Sequence, residues 1–240
     1  MRFDELYILA LVNSGISLTF LNIESLKERK PGAVLQLLTI LGIIMFIIPQ
    51  LMISCSYYDN QQVSMYLIIV AYLADYLSAV SFGLLYTYRL QAFSCLSSTK
   101  TIRFACILLI IPFLYGIVDI LSIAIVLGYN FPIEKYTIIY HVVNLALVFY
   151  MMIMNASLSL ILLKMKQEYS IQFTTPLILA LFTGSLLCIS MAIWGIMDST
   201  VGVGPLYAAW TLDVLSFQYT TSNITKVLTN PEVEKFDSEE

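Results

Sequence analysis

The chain has 240 residues, of which 59% are hydrophobic and 12% are charged, and its formal net charge is −4. Ordinary soluble domains carry about 25% charged residues, so this composition excludes a soluble globular protein. Apolar runs of about the twenty residues that a bilayer requires recur along the whole sequence. No basic patch of the kind that binds nucleic acid is present. The composition predicts an all-α, polytopic membrane protein.

Seven predicted spans account for most of the chain. The expected ranges are 5–23, 33–54, 63–92, 103–128, 137–163, 174–197 and 204–227. Residues 1–228 are therefore expected to form a seven-transmembrane-helix bundle, followed by a short acidic cytoplasmic tail at 229–240. The first run is interpreted as a retained span, because Asp4 and Glu5 dilute the basic start of a signal peptide and no small-residue cleavage site follows.

Positive charges are distributed unequally between the two sides of this bundle. Ten Lys and Arg residues lie in the connections after odd-numbered spans or at the C-terminal end, and two, Arg2 and Lys135, lie on the other side. Positive residues accumulate on the cytoplasmic side of membrane proteins. The N-terminus is therefore predicted to lie outside and the C-terminus in the cytoplasm.

The third span is mostly apolar, yet it contains Asp75 near its middle and Arg89 near its inner end. Helical periodicity places both charges on one stripe. The stripe consists of Tyr72, Asp75, Ala79, Phe82, Tyr86 and Arg89. Charged side chains within a span face protein or water rather than lipid. This span is therefore predicted to lie in the interior of the bundle, and Ala79 and Gly83 to allow close approach of a neighbour.

Two further aspartates lie within spans, Asp119 in the fourth and Asp213 in the seventh, and all three are expected in the outer half of the bundle or near its midplane. Aromatic and histidine side chains accompany them. The candidate ligand-binding residues are Asp75, Asp119, Asp213, Tyr72, Tyr115, Trp210 and His141, with Tyr207 on the same side. Carboxylates and aromatic faces around one cavity would suit a small cationic ligand. The alternative is that each aspartate is protonated and only forms hydrogen bonds between helices.

The inner end of the bundle carries a second polar group. Gln218 and Asn223 of the seventh span could contact Arg89 of the third and so form a switch between inner helix ends. Arg89 could equally extend to lipid phosphates. Pro112 predicts a kink in the fourth span, and Pro176 is expected in the first turn of the sixth.

The single histidine argues against most membrane enzymes. Zinc hydrolases and haem-carrying reductases require several His ligands, and only one His is present. A retinal Schiff base requires a lysine deep in the seventh span, whereas Lys226 lies at its inner end. We therefore expect a non-enzyme with no metal and no cofactor.

Seven spans, an outside N-terminus, short connections and the pair Tyr88-Arg89 at the inner end of the third span resemble the plan of the G-protein-coupled receptors. The resemblance is one of topology, and the diagnostic motifs of that family are missing: Leu90 follows the Arg, and Trp194 has no proline after it. It implies a receptor-like bundle.

The first functional hypothesis is a receptor-like membrane protein that senses a small ligand, with cations the best-matched class, in an outer-half cavity. Its partners would be the lipid bilayer, that ligand, and a cytoplasmic protein at the basic inner loops. The alternatives are a small-solute or proton-coupled transporter that uses the aspartates as titrating groups, and a non-catalytic membrane scaffold. Plasma membrane and endomembrane are both compatible with the sequence.

Overall fold

A computed structural model describes residues 3–54, 61–92, 99–129, 132–169, 174–197 and 203–229. Helices and short turns make up these ranges, which contain no strand. The helices within them are α1 (Phe3–Thr19), α2 (Ile23–Lys27), α3 (Pro31–Ser54), α4 (Gln61–Ala92), α5 (Thr99–Leu108), α6 (Ile110–Val126), α7 (Ile133–Tyr169), α8 (Thr174–Met197) and α9 (Val203–Thr229). The all-α prediction is confirmed, whereas the acidic tail at 229–240 lies almost wholly outside the described residues.

Five stretches of these helices are long and apolar enough to cross a bilayer. They are Pro31–Met52, Met65–Tyr88, Cys106–Ile125, Lys135–Lys164 and Thr175–Ile193. The chain is thus an integral, multi-pass membrane protein. The other two predicted spans fall short of this measure for different reasons: the apolar part of α1, Leu6–Thr19, is shorter, and α9 carries many polar residues.

The first predicted span ends earlier than expected. It was expected to reach residue 23, but α1 ends at Thr19 and a separate short helix, α2, begins at Ile23. The cause is Asn22, whose side-chain Oδ1 accepts a hydrogen bond from the backbone N of Ser25 at 3.0 Å. Asparagine at this position caps a new helix and does not extend the old one.

The fourth predicted span is interrupted at Leu109, where α5 ends and α6 begins. Pro112 lies three positions later. A proline within a helix has no N–H to donate, and its ring collides with the carbonyl four residues earlier, here that of Leu108. The interruption of the helix agrees with the effect expected of Pro112, and Pro176 lies in the first turn of α8 as expected.

The seven long helical segments form a ring in chain order. α1 packs on α3, α3 on α4, α4 on α6, α6 on α7, α7 on α8, α8 on α9, and α9 closes the ring against α1. Three members expose few side chains. Between residues 32 and 52, α3 exposes only Leu41, Met45 and Ile48. Between residues 65 and 88, α4 exposes only Tyr66, Val70, Leu73 and Tyr88; between 205 and 225, α9 exposes only Tyr219, Ser222 and Thr225.

Aromatic side chains of α4 and α9 meet inside this ring. Phe82 makes edge-on contacts with Trp210 and Phe217, and Tyr86 stacks on Phe217 with ring centroids 4.6 Å apart. Asp75, Ala79, Phe82 and Tyr86 of the predicted stripe are all buried. This part of the stripe therefore faces the inside of the bundle, as predicted, while α4 itself is a member of the ring.

Glycines allow neighbouring helices to approach α4 closely, and Gly42 and Gly83 are two examples. A Cβ atom at Gly42 of α3 would lie 2.9 Å from the carbonyl oxygen of Ala74, so only glycine permits this contact. A Cβ atom at Gly83 would lie 3.0 Å from Tyr150 Oη and 3.1 Å from Pro112 Cγ. The close approach predicted at Gly83 is confirmed, and Gly42 provides a second one.

Candidate functional site

Asp75 joins three helices through one carboxylate. Its Oδ2 accepts a hydrogen bond from Tyr115 Oη of α6 at 2.8 Å, and its Oδ1 accepts one from Tyr207 Oη of α9. The Asp75 side chain is 5% exposed. Because both oxygens have phenol donors, the carboxylate links α4, α6 and α9.

Asp119 of α6 lies within electrostatic range of Asp75 and is also buried. Unlike Asp75, it has an oxygen, Oδ2, without a hydrogen-bond partner in the described part of the chain. Two carboxylates at short range in a medium of low dielectric constant repel each other strongly unless a proton or a cation neutralises one of them. A proton or a cation bound at this pair would relieve the repulsion.

Two tyrosines lie near the aspartates. Tyr115 is one turn from Asp119 on the same helix, but its hydroxyl donates to Asp75 on α4. Tyr72 of α4 forms a hydrogen bond with Ser122 of α6 and lies within electrostatic range of both Asp119 and Asp75. Tyr115 therefore links α6 to Asp75, and Tyr72 links α4 to Ser122.

Ser122 and Tyr136 extend this cluster to α7. Their hydroxyl oxygens are 2.6 Å apart and form a hydrogen bond. Neither residue was among the candidates from the sequence. Ser122 could have been found, because it follows Asp119 by three positions and so lies on the same helix face. Tyr136 lies on another helix, and no spacing in the sequence connects it with Asp119.

Asp213 belongs to a separate contact. Its Oδ1 accepts a hydrogen bond from Thr183 Oγ1 of α8 at 3.0 Å, and the side chain of Asn155 from α7 lies beside it. It follows Tyr207 by six positions, which places it about 9 Å further along α9. The structure thus brings Asp75 and Asp119 together and places Asp213 apart from them, although the sequence suggested one shared site.

Trp210 and His141 occupy very different positions. Trp210 is buried, and its ring centroid is 5.5 Å from that of Tyr207, so it lies next to the Asp75 cluster. His141 is exposed, with its ring 5.6 Å from that of Tyr140, and takes no part in the cluster. Of the predicted ligand-binding residues, Asp75, Asp119, Tyr72, Tyr115 and Trp210 therefore come together.

A small cavity lies between the cluster and α7. Its volume is about 30 Å³, and its wall includes Tyr115, Tyr150, Tyr207 and Trp210. This is room for about two water molecules, since one needs roughly 10–15 Å³ measured in this way. The Tyr150 hydroxyl and the Trp210 Nε1 both lack a hydrogen-bond partner among the described residues. The cavity is far smaller than the 300 Å³ or more, roughly, of a typical small-molecule pocket.

The predicted inner-end switch is described only in part. The Arg89 side chain lies outside the described residues. Gln218 is buried, and neither of its amide atoms has a hydrogen-bond partner in the part of the chain that the structure describes. Asn223 is half-buried. The contact between Arg89 and these residues stays a prediction.

No model of a known protein family matches the chain, and neither does any curated protein or solved structure. Within the described ranges, no three His, Cys, Asp or Glu side chains are arranged to hold a metal ion. Function must therefore be argued from the geometry of the bundle.

Proposed function

We propose that the chain is a seven-transmembrane, receptor-like protein that senses a small cationic ligand in the outer half of its bundle, at Asp75 and Asp119. In this proposal α1 and α9 also cross the membrane, the N-terminus lies outside and the C-terminus lies in the cytoplasm. The closed ring supports the seven-span arrangement, because α1 and α9 pack against each other and against helices that are apolar enough to span.

The observation that carries the proposal is the double hydrogen bond to Asp75. Tyr115 and Tyr207 tie α6 and α9 to α4 through this one carboxylate. A cation that pairs with Asp75 or Asp119 competes with the phenol donors. Its binding would loosen one set of helix contacts and favour another packing of the bundle, which is how a ligand shifts a conformational equilibrium.

A second candidate function is a non-catalytic membrane scaffold. One observation favours it: both oxygens of Asp75 already have donors, and the adjacent cavity has room for about two waters only. In that case the aspartates would serve helix packing alone.

Intrinsic fluorescence can test the proposal, because the chain has only two tryptophans. In a Trp194→Phe background, Trp210 reports on the Asp75 cluster through its contact with Tyr207. We expect a panel of small primary and quaternary amines to include compounds that change the Trp210 emission of purified protein. Asp75→Asn should abolish this response, because an amide cannot pair with a cation.

The matched control is Asp213→Asn, which removes a buried carboxylate outside the cluster and should keep the amine response. A response that survives Asp75→Asn would contradict the proposed site. If no amine changes the emission, and Asp75→Asn lowers only thermal stability, the results would favour the membrane scaffold. Amine uptake into proteoliposomes that requires Asp75 would instead indicate the transporter.

A further inference from the structure

A polar cleft of about 310 Å³ lies at the other end of the bundle from the aspartate cluster. It lies between the connection from α1 to α3, the end of α4 and the last turns of α9. Its wall includes Lys30, Gln36, Tyr88, Gln218, Thr221 and Thr225. The volume is about the lower limit for small-molecule pockets, roughly 300 Å³.

Gln218 forms part of this wall and has unused hydrogen-bonding capacity. Its side chain is 5% exposed, and both its Nε2 and its Oε1 lack partners among the described residues. Burial of a primary amide without hydrogen-bond partners is unfavourable, because the amide loses its bonds to water. A ligand with hydroxyl groups could donate to Oε1 and accept from Nε2, and the neighbouring Thr221 and Gln36 offer further groups of the same kind.

The positive charge of the cleft indicates that the ligand also carries an anionic group. Among the described residues that line it, Lys30 is the one charged residue and none is a carboxylate. The Lys30 ammonium also lies 2.7 Å from the Glu28 carboxylate, outside the cleft wall. The hydrogen bond and the negative charge of Glu28 raise the pKa of Lys30, so the ammonium remains protonated at neutral pH. A lysine ammonium binds phosphate as a point charge.

The location of the cleft fits a ligand from the membrane surface. Lys30 immediately precedes Pro31, where the first long apolar stretch begins, so the cleft opens at the level of lipid head groups. It lies at the end of the bundle that carries most of the Lys and Arg residues. Positive pockets between helices at this level bind phosphorylated head groups.

We propose that this cleft binds a phosphorylated polyol, with its hydroxyl groups at Gln218 and its phosphate at Lys30. The ligand is either a free sugar or inositol phosphate or the head group of a phosphoinositide lipid, since both present the same chemistry. This site is independent of the function proposed for the aspartate cluster.

Calorimetric titration of the purified full-length protein tests the site. One arm uses inositol 1,4-bisphosphate with protein in detergent, and the other uses protein in nanodiscs with or without phosphatidylinositol 4-phosphate. Lys30→Gln should weaken binding at least tenfold. Lys27→Gln is the matched control, because Lys27 is an exposed cation of the same segment that does not line the cleft, and its affinity should stay within twofold.

Gln218→Met tests the polyol contact at nearly constant volume and should weaken binding of inositol bisphosphate while leaving the unfolding temperature unchanged or higher. Binding in the detergent arm identifies a free ligand, and binding in the lipid nanodiscs alone identifies a head group. The proposal is overturned if the ligand binds in neither arm. It is also overturned if Lys27→Gln and Lys30→Gln weaken binding equally. Inorganic phosphate that binds as tightly as the inositol compound would refute the polyol contact. Lys30→Gln should keep the amine response of Trp210, which separates this site from the proposed receptor function.

Discussion

Asp75 and Asp119 are two buried carboxyl groups on neighbouring helices, and their partners differ. Asp75 accepts hydrogen bonds at both oxygens, whereas Asp119 has an oxygen without a partner in the described part of the chain. Asp75 is therefore the residue that holds helices together. Asp119 still has an oxygen that can accept a hydrogen bond.

This difference predicts the effect of removing one phenol hydroxyl. Tyr115→Phe leaves Asp75 Oδ2 without its donor inside the bundle, and we expect a loss of about 1 kcal/mol of stability. Thermal unfolding of purified protein in detergent measures it. The control is Tyr66→Phe, which removes the hydroxyl of a tyrosine that is 64% exposed and should unfold like the wild type. Equal unfolding temperatures for both variants would show that the Tyr115 bond does not stabilise the bundle.

Helix pairs depend on how closely their backbones approach, and α3 and α4 are the clearest case. Gly42 faces the carbonyl oxygen of Ala74 and the backbone N and Cβ of Ser78. The contact therefore involves main-chain atoms, which cannot move aside independently. The pair α8 and α9 is held differently, by the hydrogen bond from Thr183 to Asp213. Two interfaces of one bundle thus use shape in one case and polarity in the other.

Gly42→Ala should separate α3 from α4 and destabilise the protein by roughly 1–3 kcal/mol, the usual effect of inserting a methyl group into a close-packed interface. Gly15→Ala is the matched control, because a Cβ at Gly15 of α1 meets no atom within 4 Å. Alanine is the better helix former, so the control should be neutral or slightly stabilised. The unfolding temperatures of the two variants measure this difference in stability. An unchanged unfolding temperature for Gly42→Ala would disprove the close contact.

Over the whole molecule, the ring arrangement was partly predictable from sequence. Apolar runs and short connections determine the helices and make sequential neighbours adjacent, and the buried stripe on α4 follows from periodicity alone. The contacts between helices across the ring do not follow from periodicity. Tyr207 and Asp75 are far apart in the chain, and their contact depends on how α9 rotates against α4, which no local pattern specifies. The start of α2 could have been found from Asn22, a common capping residue.

Membrane topology is the property of the whole molecule that can be tested most directly. Cysteines introduced at Ser199, between α8 and α9, and at Ser238, near the C-terminus, should react oppositely with an impermeant thiol reagent in intact cells: the first should be labelled and the second protected. Ten of the twelve Lys and Arg residues lie on the protected side of this arrangement. Labelling at Ser238 in intact cells would contradict the seven-span orientation.

The near-complete burial of α9 also has a consequence for the biosynthesis of the protein. This helix carries Asp213, Gln218 and Thr220 within its buried surface, and a lone helix with such groups partitions poorly from the translocon into lipid. α9 leaves the ribosome after α1 and α8, the two helices on which it mainly packs, so both are available as partners when it emerges. In the proposed seven-span arrangement, the integration of α9 therefore depends on packing against helices made earlier. Chains that fail at this step expose unpaired helix faces, which cellular quality control can recognise.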